Sequence, residues 1–515
     1  MIKNLAKLYS AELEGLQARL IEVEVDLNVG LHSFNIVGLG DKALQEAKER
    51  VNSALKNSDI KPPNKENRKI TVNLAPADIK KTGSQYDLAI AVGYMLSTEQ
   101  IKFFDTEGKI FVGELALDGR IRGINGALSI AKLLKDNEFK ELFLPKENAR
   151  EAALIKDIKI FGVDNLKELI NHLEERELIK KEPETEFLPD PSASSGLAGT
   201  DISEIKGQEH AKRALTIAAA GAHNLLMIGS PGAGKTMLAQ ALISILPPLD
   251  LEESIAITQI YSAAGLLKNR DFIEHRPFRA PHHTASPVSM IGGGQNPRPG
   301  EVSLAHSGVL FLDEMPEFRR DLLEALRQPL ESGSINVARA KNTLTFPARF
   351  SLVAAMNPCP CGYWGDKEKE CKCGAHEVSR YQKKVSGPLL DRIDIQVEVP
   401  RVRLEDLKKQ RDEKLSEKIK QSIINARQIQ KERFKSNKIQ IKTNAEMSSR
   451  QVDELINPEP KAATLAKDLF GKSLISARGY YRILKIARTI ADLEKSQDVE
   501  ENHLSEAFQY RIRKE

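Results

Sequence analysis

Gly229-Ser230-Pro231-Gly232-Ala233-Gly234-Lys235-Thr236 decides how this chain is read. It is a complete G-x-x-x-x-G-K-S/T phosphate-binding loop, in which glycines let backbone N–H groups close around a triphosphate such as ATP. Lys235 is the side chain that reaches the terminal phosphates. The Thr236 hydroxyl is a ligand for Mg²⁺ at the positive end of a helix. The flanks supply the context the motif needs: Leu225-Leu226-Met227-Ile228 is an apolar run of strand length, and Met237 to Ile243 has a helical pattern. A glycine-rich turn with an incidental lysine would not need both.

Downstream, Gly308-Val309-Leu310-Phe311-Leu312-Asp313-Glu314 reads as an apolar strand ending in two carboxylates. At roughly eighty residues past the phosphate loop, Asp313 suits Mg²⁺ and Glu314 suits the polarisation of an attacking water. Ser351 to Met356 is another apolar strand, finishing in Asn357-Pro358, where the Asn side chain could simply cap the strand end. Ser334 to Phe346 reads as two strands around a basic tip, Arg339-Ala340-Lys341-Asn342. That tip is either a solvated turn or a contact for a phosphate backbone.

All four cysteines, Cys359, Cys361, Cys371 and Cys373, fall in one short segment as two C-x-C pairs. Two close pairs can give Zn²⁺ its four thiolates in a closed, structural tetrahedron, with unliganded reduced thiols as the alternative. Two adjacent histidines, His282 and His283, would point to opposite faces if they sat on a strand, which argues against a shared metal.

At 515 residues two or three domains are expected. Hydrophobic residues at 41% and charged residues at 29% are ordinary for a globular protein, and a net charge of +4 excludes a globally basic coat for nucleic acid. Any DNA-binding surface must therefore be a local feature. The start of the chain lacks an apolar targeting core and no run of eighteen apolar residues occurs, so a cytoplasmic location without a membrane span is expected.

Residues 1 to about 178 alternate strands and helices. Strands are expected at 11–13, 20–27 and 69–74, helices at 41–55 (capped by Asp41), 88–95, 127–134 and 166–173, and a hairpin over 109–122 turned at Asp118-Gly119. Residues 179–203, rich in Glu, Pro and Ser, read as a linker. The stretch 204–400 holds the motifs above. Residues 401–515 are charged at first, then carry a helical stripe through Tyr481, Leu484, Ala487, Arg488 and Ala491.

The N-terminal stretches Ala75-Pro76-Ala77-Asp78, Lys81-Thr82-Gly83-Ser84-Gln85-Tyr86-Asp87-Leu88 and Gly113 to Arg120 resemble the Lon-protease-like domain that opens the ComM/YifB family of magnesium-chelatase-like ATPases. In that alignment Gln85 stands where a Lon-type serine would be, beside Ser84, and Leu128 stands where the activating lysine would be. A hydroxyl without a base is a poor nucleophile, so the resemblance implies a non-catalytic accessory domain. Together with the segment Arg279 to Gly300, the resemblance covers nearly the whole chain and implies an α/β multidomain fold: Lon-like α+β domain, AAA+ core with chelatase-type insertions, and helical lid.

It also implies site roles. Gly207 and Gln208 would lie beside the adenine, and Asn357 would be the first sensor of the γ-phosphate. Arg392, in Ser386 to Asp394, would be an arginine finger acting on a neighbouring subunit's nucleotide. Arg478, in Ser476-Ala477-Arg478-Gly479-Tyr480, would be the second sensor. Arg339 and Lys341 would face DNA in a ring channel, expected as a homo-hexamer, and the implied activity is branch migration. The rival readings are a motor inserting Mg²⁺ into a porphyrin and a Lon-like peptidase.

Overall fold

The computed structural model describes residues 5–38, 42–65, 67–187, 200–267, 270–294, 297–338, 343–366, 368–408, 410–471 and 476–511. The basic tip with Arg339 and Lys341, and the Asp41 cap, lie outside these residues. The chain divides into two compact units, one of Met1–Leu188 with Leu251–Ile273, the other of Pro189–Asp250 with Glu274–Glu515. No helix among the described residues is long and apolar enough to cross a membrane.

In the first unit, β1 (Leu5–Glu14) turns through Gly15, at φ +66°, into β2 (Gln17–Val29). Alternate residues of β2, Ile21, Val23, Val25 and Leu27, are buried while their neighbours face outward, the period-two pattern of a strand covered on one side. With β3 (Ser33–Val37), β4 (Arg68–Ala75), β5 (Lys109–Phe111), β8 (Glu141–Pro145) and β9 (Lys159–Val163) they form a seven-stranded mixed sheet, ordered β3-β4-β2-β1-β5-β8-β9. The nearly all-apolar helix Asp87–Ser97 is buried against β1 and β2. The expected 109–122 hairpin is only partly formed. Its tip pairs as β6 (Glu114–Leu115) with β7 (Ile121–Arg122), but β5 leaves it to lie parallel to β1 and β8. The apolar run Ile110-Phe111-Val112 is wholly buried, which a sheet interior supplies and a two-stranded arm does not.

Part of the segment read as a linker is fixed to this unit. The Glu182 N–H donates to Ile160 O (2.8 Å), the Thr185 N–H to Ala153 O (3.1 Å), and Phe187 lies against Phe272.

The second unit is built on a five-stranded parallel sheet, β10 (Leu225–Ile228), β11 (Phe278–Arg279), β14 (Val309–Leu312), β17 (Ser351–Met356) and β18 (Ile395–Glu398), in the order β11-β14-β17-β10-β18. Its strands are covered on both faces. Leu225, Met227, Phe311 and Val353 enter one core, and Leu226, Leu310, Leu312 and Ala354 the other. The first core is continuous with the C-terminal helices Leu415–Ser436, Ala477–Glu494 and Glu501–Gln509. Two short ribbons, β12 (Gly292–Gly293) with β13 (Arg298–Pro299), and β15 (Ser334–Ala338) with β16 (Thr343–Pro347), stand outside the sheet. His282 and His283 are not on a strand. After Pro281 they enter a turn closed by the Ala285 N–H on His282 O, and their rings lie together, 4.1 Å between centroids.

Candidate functional site

In a parallel sheet, loops at the carboxyl ends of the strands converge, and here β10, β14 and β17 each deliver one of the motif segments. β10 runs into Gly229, where a Cβ would lie 2.2 Å from Val399 O, so the loop can leave the sheet only through glycine. Gly232 and Gly234 take left-handed backbone, at φ +78° and +90°, and a Cβ at either would meet nothing within 4 Å. The loop thus leaves open space beside Gly232 and Gly234 at the start of the helix Lys235–Ile245, the position where backbone N–H groups can meet a phosphate chain.

Lys235 is only 9% exposed. Its ammonium donates to Gly229 O (2.7 Å), Ser230 O (3.1 Å) and Asn357 Oδ1 (3.1 Å). Burial lowers its pKa against the pull of Asp313 and Glu314. The Thr236 hydroxyl donates to Asp313 Oδ2 (2.8 Å), so the two oxygens suited to Mg²⁺ are neighbours, and both residues retain solvent access. Glu314 sits in left-handed backbone at φ +49°, an uncommon conformation for a non-glycine residue. Gln208 donates to Ala233 O (3.4 Å) and Pro400 O (2.5 Å), which brings the Gly207-Gln208 pair to the rim of the loop.

The cysteine segment follows Asn357 directly. Cys359, Cys361, Cys371 and Cys373 have all their sulfurs within 4.8 Å of one another, with Cys359–Cys361 at 3.4 Å and Cys361–Cys371 at 3.5 Å. A tetrahedron of Zn–S bonds near 2.3 Å has edges of about 3.8 Å, so the donor set fits zinc. Backbone N–H groups of Lys372 and Tyr363 hold the Cys361 thiol down to about 6, and the Trp364 N–H donates to Cys359 Sγ (3.3 Å). Such N–H···S bonds orient and support thiolate ligands. The segment also touches the phosphate loop. A Cβ on Gly362 would lie 2.4 Å from Pro231 Cδ, and Arg401, itself 3.4 Å from Asp366, donates to Ser230 Oγ (3.4 Å).

Arg392 and Arg478 are elsewhere in this unit. With Arg482, Lys485, Glu331 and Asp391 they line a pocket of about 200 Å³ that no residue of the phosphate loop lines. Arg392 is 5% exposed, donating to Pro388 O (2.6 Å) and Glu331, while its Nε is buried with no hydrogen-bond partner among the described residues. A finger offered to another copy is expected to project. Arg392 is instead folded inward, and Arg478 is the exposed member of the pair. Sequence reading overlooked Arg401, Asp366 and Arg482. Only Arg482 had a visible signal, its place one helical turn after Arg478.

In the first unit, Gln85 Nε2 donates to Glu12 Oε2 (2.9 Å), Ser84 bonds Glu114, and Leu128 is fully buried. No lysine stands at 128 to activate a hydroxyl.

The family description "Magnesium chelatase, subunit ChlI" matches residues 201–407. "Subunit ChlI of Mg-chelatase" matches 23–148, and "Magnesium chelatase, subunit ChlI C-terminal" matches 413–511. The chain is 42% identical over 510 residues to "Competence protein ComM" of Haemophilus influenzae, covering 99% of this chain and 97% of that protein. It is 40% identical to the uncharacterised protein YifB of Escherichia coli, over 96% of this chain and 95% of that one. Over 193 residues, 32% of this chain and 29% of the relative, it is 26% identical to the magnesium-chelatase 67 kDa subunit of Heliobacterium mobile. With a phosphate loop, a carboxylate strand and a helical C-terminal region in one parallel-sheet unit, and with likeness along its full length, the chain belongs to the ComM/YifB family of magnesium-chelatase-like AAA+ proteins.

Proposed function

We propose that this protein is an ATPase that works as a ring, expected to be a hexamer, and drives DNA through its channel in the branch migration of recombining strands. One observation carries the reading: Lys235, Thr236, Asp313 and Asn357 form one cluster, while the cationic pocket with Arg392 and Arg478 is a separate place on the same unit. In this reading a nucleotide on the first is met by those arginines from a second copy. Lys235 and the glycine-loop amides bind and orient the phosphates, Glu314 holds a water for attack, and Asn357 keeps the lysine head aligned. Bound Mg²⁺, held by Thr236 and Asp313, supplies neutralising charge to the phosphates. Gly207 and Gln208 flank the base.

The cysteine set is assigned to a structural Zn²⁺. Residues 1–178 are assigned as a Lon-like, non-catalytic domain, 204–400 as the core and 401–515 as the lid. Arg339 and Lys341 are assigned to the DNA backbone, since a hairpin beside the first-sensor strand with cations at its tip binds in a sequence-blind, salt-dependent way. That a relative is named a competence protein agrees with incoming DNA as the substrate. The test is ATP turnover with forked or single-stranded DNA, with porphyrin plus partner subunits, and with unfolded protein. Stimulation by DNA that is lost in Arg339→Ala/Lys341→Ala while basal turnover persists is expected. Stimulation by porphyrin or by unfolded protein alone would replace this reading with a chelatase motor or a peptidase.

A further inference from the structure

Arg392 lies between the short helix Gly387–Leu390 and β18, outside any strand pairing, so its setting depends on what holds its backbone. Two side chains hold its carbonyl: Asn224 Nδ2 donates to it at 2.9 Å and an Arg482 guanidinium nitrogen at 3.1 Å. The same Arg482 nitrogen also donates to Asp394. Asp394 is 4% exposed and accepts the Asn224 N–H (3.1 Å), with His223 Nδ1 3.5 Å away. Burial alone would raise this carboxyl, but Arg482, with His223 and Lys485 behind it, holds it well below the usual range, so the anchor is a charged pair.

Each partner is tied onward. Asn224 immediately precedes β10, which ends on the phosphate loop, and its Oδ1 accepts the Leu352 N–H (2.9 Å) at the start of β17, which ends on Asn357. Arg482 stands one turn after Arg478 on the helix Ala477–Glu494, so both share a face and anchoring one limits the rotation of the other. A planar guanidinium can serve the carboxylate and the carbonyl together in fixed geometry, whereas a lysine head is a point charge on a flexible stem.

We propose that Arg482 is a positioning residue for phosphoryl transfer: by clamping Asp394 and the Arg392 carbonyl, it sets how Arg392 and Arg478 are presented to a nucleotide on a neighbouring copy. The proposal rests on the shared-site reading above. A purely structural ion pair would affect folding and every step alike, whereas a positioning residue affects kcat at another copy's nucleotide and spares nucleotide binding at its own.

The test uses full-length Arg482→Lys, assayed for thermal stability, binding of a fluorescent ATP analogue and DNA-stimulated kcat and KM. Each preparation is then mixed with full-length Lys235→Ala, whose phosphate site is disabled and whose arginine pocket is intact. Affinity within about twofold of wild type, kcat reduced about tenfold or more, and activity in the mixture above the sum of its parts are expected. If Arg482→Lys turns over like wild type, or its mixture gives only the sum while an Arg392→Ala/Lys235→Ala mixture recovers, the proposal falls and the shared site stands. If the Arg392→Ala mixture also gives only the sum, the shared site falls and the proposal with it. Should Arg482→Lys fail to fold, Asn224→Ser, which loosens the other donor to the same carbonyl, is judged by the same mixing criteria.

Discussion

Replacing Gly362 with alanine should damage nucleotide binding from outside the phosphate loop. Gly362 sits in the cysteine segment at φ +85°, and a Cβ there would lie 2.4 Å from Pro231 Cδ and 2.7 Å from Cγ. An alanine in left-handed backbone costs about 1–2 kcal/mol. The contact is also about 1 Å inside ordinary carbon–carbon separation, and because a proline ring cannot swing aside, overpacking adds about 1–3 kcal/mol. With the proposed Zn²⁺ bound, the cysteine segment would be tied by its four thiolates, so relief would come largely from displacing Pro231 and with it the loop around Lys235. If half of a roughly 3 kcal/mol strain falls on the loop, nucleotide affinity weakens about tenfold. Gly365 supplies the control, since it lies in the same segment at φ +77° and a Cβ there meets nothing within 4 Å, so Gly365→Ala carries only the backbone cost. Titration with a fluorescent ATP analogue, alongside thermal melts of both variants, measures the difference. Equal affinities for Gly362→Ala and Gly365→Ala, with both folded, would refute the claim that the cysteine segment braces the phosphate loop.

Elemental analysis of protein purified without chelator should give one zinc per chain, and Cys371→Ser should lose most of it; a metal content unchanged by that substitution would remove the four-thiolate assignment. Glu314→Gln should still bind ATP, since no hydrogen bond of Lys235 or Thr236 is removed, but should turn over about 10²-fold or more slowly in steady-state assays. His172 supplies a pH dependence for the first unit. Its Nδ1 accepts the Ile179 N–H (3.0 Å), its ring packs against the stacked pair Phe143 and Phe161, and burial lowers its pKa from 6.5. The unfolded chain then binds the proton first as pH falls, so stability present above about pH 6.5 is lost below it. Unfolding midpoints measured down to about pH 5.5 should decline less in His172→Gln than in the parent.

The sequence made the phosphate site legible because its chemistry is carried by contiguous residues on strand ends. A loop that must expose backbone N–H groups needs Gly232 and Gly234, and a metal carboxylate needs an apolar strand behind Asp313, so both patterns survive in one dimension. β3, β8 and β9 were missed, although Leu142, Phe143 and Leu144 are wholly buried, because a short apolar run reads equally as strand or helix. The segment Leu251–Ile273 was missed for another reason. It follows the phosphate-loop helix in the chain yet is packed into the first unit, where the Ser262 hydroxyl accepts the Gly126 N–H (2.8 Å) and bonds the buried Glu151 carboxylate. A lone serine gives no sign of such a partner more than a hundred residues away.

The same distinction separates Arg392 and Arg478 from Arg482, which lines their pocket with them. Arg392 and Arg478 could be singled out because each sits in a contiguous stretch, Ser386 to Asp394 and Ser476 to Tyr480, that resembles a family motif. Arg482, Asn224 and Gly362 act on other protein groups, and the constraint that selects them, a shared carbonyl or a proline ring too close for a methyl, exists only once distant stretches have met. Substitutions at such positions should therefore resemble active-site lesions in kinetics while binding no ligand themselves, and mixing variants, which asks whose site a residue serves, is the measurement that separates the two.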